Sequence, residues 1–241
     1  MKILAIDSSG LVAGVALLED EELIAEYTVQ YKKTHSQTLL PMLEEIGRMV
    51  ELDLASLDAI AVAAGPGSFT GLRIGCATAK GLGQALGKPL VAVPTVDALA
   101  YNLYGCDNRL ICPMMDARRN QVYTGIYTFY RSLKGFRVEI LKEQCAMDVD
   151  ELLEELNGRE QEVIFLGDGV PVFKGPIEER LKIPYSFAPA GFNRQRAAAL
   201  GVLALTYLEE GKTVSAADMK PEYLRMSQAE RERKEGRTHG V

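Results

Sequence analysis

The stretch from residue 59 to residue 75 constrains the fold more than any other part of the chain. Its sequence is AIAVAAGPGSFTGLRIG, an apolar run of strand length, a glycine-rich turn, and a run without helix breakers other than glycine. This pattern predicts a strand, a turn and a helix. A glycine turn before a helix can present backbone N–H groups to an anion, or it can serve close packing alone. The spacing leaves both interpretations open.

Two familiar phosphate-binding patterns do not fit this turn. A P-loop ends in Gly-Lys-Ser/Thr, whereas Leu72 and Arg73 follow Gly71 here. Gly65, Gly67 and Gly71 are spaced one residue wider than the glycines of the dinucleotide-binding fingerprint. Any phosphate site at this turn would therefore be of another kind.

Composition and charge limit the classes of function. With 241 residues, 47% of them hydrophobic, the chain can bury a large core, and its net charge of -6 argues against a general basic surface for nucleic acid. The cysteines have no C-x-x-C spacing, which favours reduced core residues over a metal or disulfide role; they are Cys76, Cys106, Cys112 and Cys145. The first residues lack the pattern of a signal peptide, and no apolar run reaches membrane-spanning length, so we expect a cytoplasmic protein without membrane contact.

The order strand, Asp, polar turn, strand, strand occurs twice. The first copy ends its opening strand at Asp7, followed by Ser8 and Ser9, and the second ends its opening strand at Asp116. This repetition suggests an ancient duplication. We predict an N-terminal lobe over residues 1–105, a C-terminal lobe over 106–226 and a flexible, charged tail over 227–241.

Two predicted helices have more apolar surface than one core contact requires. The first covers residues 38–52, with Thr38 as N-cap; the second covers 71–86 and is rich in Gly and Ala, with a narrow polar stripe of Arg73, Lys80 and Gln84. Small residues allow another helix to approach closely. The pattern leaves open whether that helix lies within the same lobe or in another subunit. Further helices are predicted at 95–104, capped by Thr95, at 149–156 and at 194–208.

Four segments together resemble the bacterial TsaB (YeaZ) family. They are Ile6–Ser9, Gly65–Gly75, Met115–Arg118 and Lys220–Arg225, and the resemblance extends over about residues 1 to 225. It implies an α/β fold of the actin-like ATPase superfold. Two ribonuclease-H-like lobes are expected, each a mixed sheet with a three-stranded N-terminal meander flanked by helices.

The resemblance also implies a function. Members of this family are non-catalytic scaffold or activator subunits in the synthesis of threonylcarbamoyladenosine in tRNA, where they pair with the TsaD paralogue that holds the metal and the chemistry. A TsaE-like ATPase joins this heterodimer, a homodimer forms when the subunit is alone, and tRNA is met only through the complex. The implied interface lies on the first two helices, at Leu39, Met42, Leu43, Ile46, Leu72, Arg73, Cys76, Ala79, Lys80 and Gly83.

We expect no catalytic residue and no metal site in this chain. It has two histidines, His35 and His239, and the H-x-x-x-H pair of the paralogue is absent. The superfold leaves room for a vestigial nucleotide or phosphate site, with no cofactor required and weak or shared ATP or ADP with Mg²⁺ as an option. Its candidate residues are Asp7, Ser8, Ser9, Gly65, Gly67, Ser68, Asp116, Gly167 and Gly169.

Beside the scaffold, two other functions stay open from the sequence. Asp7 could hold Mg²⁺ with Asp116 in an autonomous Mg-ATP-dependent kinase or ATPase, or it could cap the turn formed by Ser8 and Ser9, which is the interpretation we favour. A metallopeptidase is the third hypothesis, and tightly held zinc or iron would support it.

Overall fold

The computed structural model describes residues 1–20, 22–31, 34–133 and 135–225. In the first half lie β1 (Lys2–Asp7), β2 (Ala13–Glu19), β3 (Glu22–Val29), α1 (His35–Met49), β4 (Ala59–Gly65), α2 (Phe69–Leu86), β5 (Leu90–Pro94) and α3 (Thr95–Ala100). In the second half lie β6 (Leu110–Asp116), β7 (Gln121–Ser132), β8 (Gly135–Asp148), α4 (Val149–Asn157), β9 (Val163–Leu166), α5 (Val170–Arg180), β10 (Tyr185–Phe187) and α6 (Ala197–Glu209). Short 3₁₀ turns occupy Leu54–Ser56 and Tyr101–Leu103.

The strands of the described residues form two five-stranded sheets of the same design. Their orders are β3-β2-β1-β4-β5 and β10-β9-β6-β7-β8. In each sheet the first three strands of the half form an antiparallel meander, and the later strands add in parallel beside the first. The predicted fold of two mixed-sheet lobes with N-terminal meanders is therefore confirmed.

Each lobe receives a helix from the other half of the sequence. The first sheet has α1 and α2 on one face, where Leu4 and Ile6 point, and α6 on the other, beside Ile3 and Ala5. In return, α3 packs with β6 and β7 of the second sheet, in the cluster that contains Val96. The alternation of β1 explains this arrangement, because successive side chains of a strand point to opposite faces, and here both faces are buried.

Several predicted boundaries were wrong for identifiable reasons. Helix α1 begins at His35, so Pro41 lies inside the helix, and the hydroxyl of Thr38 bonds back to the carbonyls of Thr34 and His35 rather than capping. Thr95 is the first residue of α3, not its cap, and its hydroxyl has no partner. Strand β10, Tyr185–Phe187, was not predicted.

Two further predictions concern the tail and the membrane. The predicted tail, residues 227–241, lies outside the described residues, as does His239. Across the described ranges, no helix is both long and apolar enough to span a lipid bilayer.

Candidate functional site

A cleft of about 620 Å³ opens where the two lobes meet. The turn after β1 and the glycine turn before α2 contribute residues from one side, and the turns after β6 and β9 from the other. Its lining includes Ser9, Gly67, Ser68, Asp116 and Asp168 from the predicted site and its surroundings, together with His35, Phe69, Arg118, Tyr223 and Arg225. The structure therefore brings both Asp-containing turns to one cleft.

Asp7 is buried and is not among the residues that line this cleft. Its side chain is 2% exposed, and its Oδ1 accepts hydrogen bonds from the backbone N–H of Ser9 (2.9 Å) and from the Ser9 hydroxyl (2.6 Å). Burial raises the pKa of Asp7, and the two bonds from Ser9 oppose that rise. The turn-capping interpretation of Asp7 is confirmed.

The glycine turn packs directly on the turn after β1. A Cβ at Gly67 would collide with the carbonyl oxygen of Ser9, and one at Gly71 with that of Ser8. The N–H of Ser68 donates to the same Ser9 oxygen at 2.6 Å, and the Ser68 hydroxyl accepts from the N–H of Gly71 as the N-cap of α2. This close approach favours the packing interpretation of the turn and does not fit a phosphate cradled between the two turns.

The second lobe repeats the same kind of packing. A Cβ at Gly167 would collide with the carbonyl of Met114, and the N–H of Gly169 donates to that oxygen at 2.9 Å. Asp116 accepts from the N–H of Arg118 (2.8 Å) and pairs with its guanidinium (3.3 Å). Asp168 lies beside Asp116, and burial raises its pKa. Asp116 and Asp168 both line the cleft on this side.

The histidine of the described chain is also engaged structurally. The Nε2 of His35 lies 2.9 Å from the carbonyl oxygen of Gly10 and shares a hydrogen bond with it. Throughout the described part of the chain, no group of three or more His, Cys, Asp and Glu side chains is placed to hold a metal ion.

A buried polar cluster between the lobes was not predicted from the sequence. The hydroxyl of Tyr127 on β7 donates to Asp97 on α3 at 2.6 Å, and Gln144 of β8 bonds to the N–H of Val96 and the carbonyl of Gly65. Burial raises the pKa of Asp97 to about 6, against the lowering effect of the Tyr127 bond. The sequence shows an acidic residue, Asp97, in the first turn of α3, but it does not show the partner, because Tyr127 is 30 residues further along the chain.

The outer faces of α1 and α2 differ from the predicted interface. Seven of its ten residues are buried within the lobe: Leu39, Met42, Ile46, Leu72, Cys76, Ala79 and Gly83. Leu43 is half-buried, Arg73 is exposed, and Lys80 is partly exposed. The exposed apolar groups are instead Leu40 (56% exposed) and Met49 (69%) on α1, with the small residues Ala77, Gly81 and Ala85 on α2. We call Leu40, Ala77, Gly81 and Ala85 the outer face; Met49 is nine positions from Leu40, about 180° around α1, and therefore lies on the opposite flank of that helix.

Two glycines within these helices have no packing reason among the described residues. A Cβ added at Gly81 of α2 or at Gly47 of α1 would meet none of their atoms within 4 Å. A glycine within a helix costs about 1 kcal/mol relative to alanine, because the unfolded chain is freer and no side chain packs. Gly83, by contrast, is needed internally, since its Cβ would lie 2.8 Å from Leu90 Cδ2.

Comparison with known proteins identifies the family. The model of a family described as TsaD: tRNA N6-adenosine threonylcarbamoyltransferase matches residues 22–233. A Bacillus subtilis protein named tRNA threonylcarbamoyladenosine biosynthesis protein TsaB is 37% identical over 233 residues, which is 95% of this chain and 96% of that protein. The chain belongs to the TsaB family.

Further TsaB relatives agree in sequence and in fold. The Escherichia coli (strain K12) protein of the same name is 30% identical over 93% of this chain and 95% of its own length. The solved structure of YeaZ from Pseudomonas aeruginosa has a TM-score of 0.75 at 26% identity, covering 92% of this chain and all of that one (100%). The chain therefore matches TsaB relatives along nearly their whole length, and the expected family is confirmed.

Proposed function

We propose that this protein is a non-catalytic subunit in the biosynthesis of threonylcarbamoyladenosine in tRNA. The names and near-complete coverage of the TsaB relatives support the pathway. The geometry supports the non-catalytic role, because Asp7 is bonded to Ser9 and the glycine turns are filled by neighbouring backbone. The chain then contributes to the pathway by binding a partner at its surface, and not by reactive groups in its cleft.

The outer face of α1 and α2 is the surface by which it would act. The observation that carries the proposal is Gly81, a glycine in the middle of α2 that faces open space. A glycine there makes the free chain less stable than an alanine would. Exposed Leu40 on the neighbouring helix adds apolar area, which a soluble monomer seldom leaves uncovered. We propose that a TsaD-type protein packs its helices against this face, and that a TsaE-type ATPase joins the pair.

Without its partner the chain would cover the same face with a second copy. A homodimer between identical patches satisfies the same apolar groups by two-fold symmetry. Contact with tRNA would then come through the complex, since the chain has a net charge of -6.

Light scattering coupled to size exclusion tests this proposal. The chain alone should run as a dimer, and mixing it with the TsaD-type protein of the same organism should give a heterodimer. Gly81→Leu should weaken both, whereas Glu154→Leu, which adds the same side chain at an exposed site on α4 of the other lobe, should weaken neither. A monomer that forms no complex, or equal effects of the two variants, would overturn the proposal.

An autonomous Mg-ATP-dependent kinase or ATPase is the second candidate. The cleft and its carboxylates Asp116 and Asp168 favour it, whereas the buried position of Asp7 disfavours it. We propose that this chain requires no cofactor and that any ATP or ADP with Mg²⁺ binds weakly or is shared within the complex. Titration with Mg-ATP by calorimetry separates the two: micromolar binding with turnover that Asp7→Asn abolishes would establish the enzyme.

A further inference from the structure

The segment after α6, residues 214–225, packs along the first lobe as a strap. Val214 forms both hydrogen bonds of a β-bridge with Leu90 of β5, at 2.8 and 2.9 Å. Met219 is buried in the core cluster that contains Cys76 and Ala79 of α2. We call residues 214–225 the C-terminal strap.

Both cations of the predicted polar stripe of α2 hold this strap. The Nζ of Lys80 donates to the carbonyl oxygens of Ala217 (3.2 Å) and Met219 (3.1 Å). Two helical turns closer to the start of α2, the Nε of Arg73 donates to the Tyr223 hydroxyl at 3.2 Å. The strap therefore runs antiparallel to α2, beside its outer face.

An aromatic contact adds to the grip at the start of α2. The Arg73 guanidinium lies 3.9 Å from the centre of the Phe69 ring, and that ring lies 4.6 Å from the ring of Tyr223. A cation over an aromatic face contributes about 0.5–1 kcal/mol at exposed sites. Arg73 is thus shared between a helix residue and a strap residue.

The far end of the strap reaches the other lobe. The Arg225 guanidinium donates to the carbonyl oxygens of Ala117 and Arg118, the latter at 3.3 Å, in the turn between β6 and β7. This turn has three consecutive non-glycine residues in the left-handed region, at φ 64°, 58° and 61° for residues 118 to 120. Each such residue is costly, so the turn gains from bonds that hold its carbonyls in place.

The strap also lines the cleft between the lobes. Glu222, Tyr223 and Arg225 are among the lining residues, and the N–H of Glu222 donates to the carbonyl of Ala64, at the end of β4, at 2.6 Å. One segment consequently contacts α2, the cleft and the turn of the opposite lobe.

We propose that the C-terminal strap couples binding of a partner at Arg73 and Lys80, beside the outer face of α2, to closure of the cleft. A partner that offers carboxylates to Arg73 and Lys80 replaces neutral acceptors with charged ones, which bind these cations more strongly. The strap then loses its polar anchors on α2 while Val214 and Met219 stay packed, so the part after Met219 moves, Arg225 leaves the turn between β6 and β7, and the cleft opens. The identity of the partner rests on the proposed function, whereas the mechanical link is a property of the chain alone.

Hydrogen exchange on the free, full-length chain tests the link without any partner. Lys80→Met keeps the apolar stem of the side chain and removes its donor, so the lobe should stay folded. It should raise amide exchange about tenfold in residues 116–121 of the other lobe, as loss of hydrogen bonds from a charged group predicts. The matched control is Gln84→Met, an exposed position on the same helix that should leave this exchange unchanged.

Arg225→Ala provides the second arm, because it removes the contact with the turn directly. The proposal expects Arg225→Ala and Lys80→Met to raise exchange in residues 116–121 alike. If only Arg225→Ala does so, or if neither does, the coupling is absent. When the TsaD-type protein is added, exchange in 116–121 should rise; a fall would overturn the stated direction. Failure of that protein to bind would contradict the proposed function and leave the free-chain comparison to decide the coupling.

Discussion

Replacing Gly81 by alanine should raise the stability of the free chain and weaken its association with a partner. In the free chain an added Cβ at this position meets no atom within 4 Å. Alanine is favoured over glycine in a helix interior by about 1 kcal/mol, so the free energy of unfolding should rise by about that amount. For a chain of this length that corresponds to a melting temperature about 2–4 °C higher.

Association should respond in the other direction. If the helices of a partner pack closely over Gly81, the added methyl group overfills that contact, which typically costs about 1–3 kcal/mol. The dissociation constant should then increase about five- to 150-fold. Sedimentation velocity gives the association, and urea unfolding at low protein concentration gives the stability, because association itself stabilises the folded state.

Gly83→Ala, two residues along the helix, is the informative comparison. Its Cβ would lie 2.8 Å from Leu90 Cδ2 and 3.1 Å from the Lys88 carbonyl, so the substitution should destabilise the chain. The reasoning is refuted if Gly81→Ala lowers stability, or if it raises stability and leaves association unchanged. The first result would mean that Gly81 serves the lobe itself, and the second that nothing packs on it.

Three further predictions concern the interior. Asp97→Asn should raise stability at pH 8 by about 3 kcal/mol, since wild-type stability falls as pH rises from the unfolded-state pKa near 4 through the folded-state pKa of about 6. Urea titrations at pH 5 and pH 8 measure this, and a variant less stable than wild type at pH 8 contradicts it. Asp7→Asn should keep the turn, because the amide oxygen can accept the same bonds, and should leave tRNA modification by the complex intact; loss of modification by a stably folded variant would point to chemistry at Asp7. Gly71→Ala should lower the free energy of unfolding by about 3 kcal/mol or more, because the added Cβ collides with the Ser8 carbonyl. Urea unfolding measures this, and a decrease below about 1 kcal/mol would show that the turn has room for a ligand.

The architecture of this chain was predictable because it follows from local patterns. Strand alternation, the Asp-containing turns and the glycine turn each depend on residues close in sequence, and each half repeats them. The capping role of Asp7 belongs to the same class, since its acceptor bonds reach only two residues along the chain. The resemblance to the TsaB family rested on these same segments.

The orientation of the helices was not predictable from periodicity. Helices α1 and α2 are apolar or small on most of their circumference, so the sequence alone does not tell which side the lobe buries. The structure turns Leu39 and Ala79 inward and leaves Leu40 and Gly81 outside. The contacts of β4 and its neighbours in the sheet decide this, and they are set by the tertiary packing.

The sequence by itself determined two mixed-sheet lobes, the turns that join their strands, and the absence of the paralogue's paired histidines. Only the tertiary structure decided that Asp97 meets Tyr127 and that Lys80 reaches Met219, 139 residues further along the chain. The physical reason is the range of the interactions. Turns and strand faces are fixed by neighbouring residues, whereas contacts between distant segments depend on how both lobes pack, which no local pattern encodes.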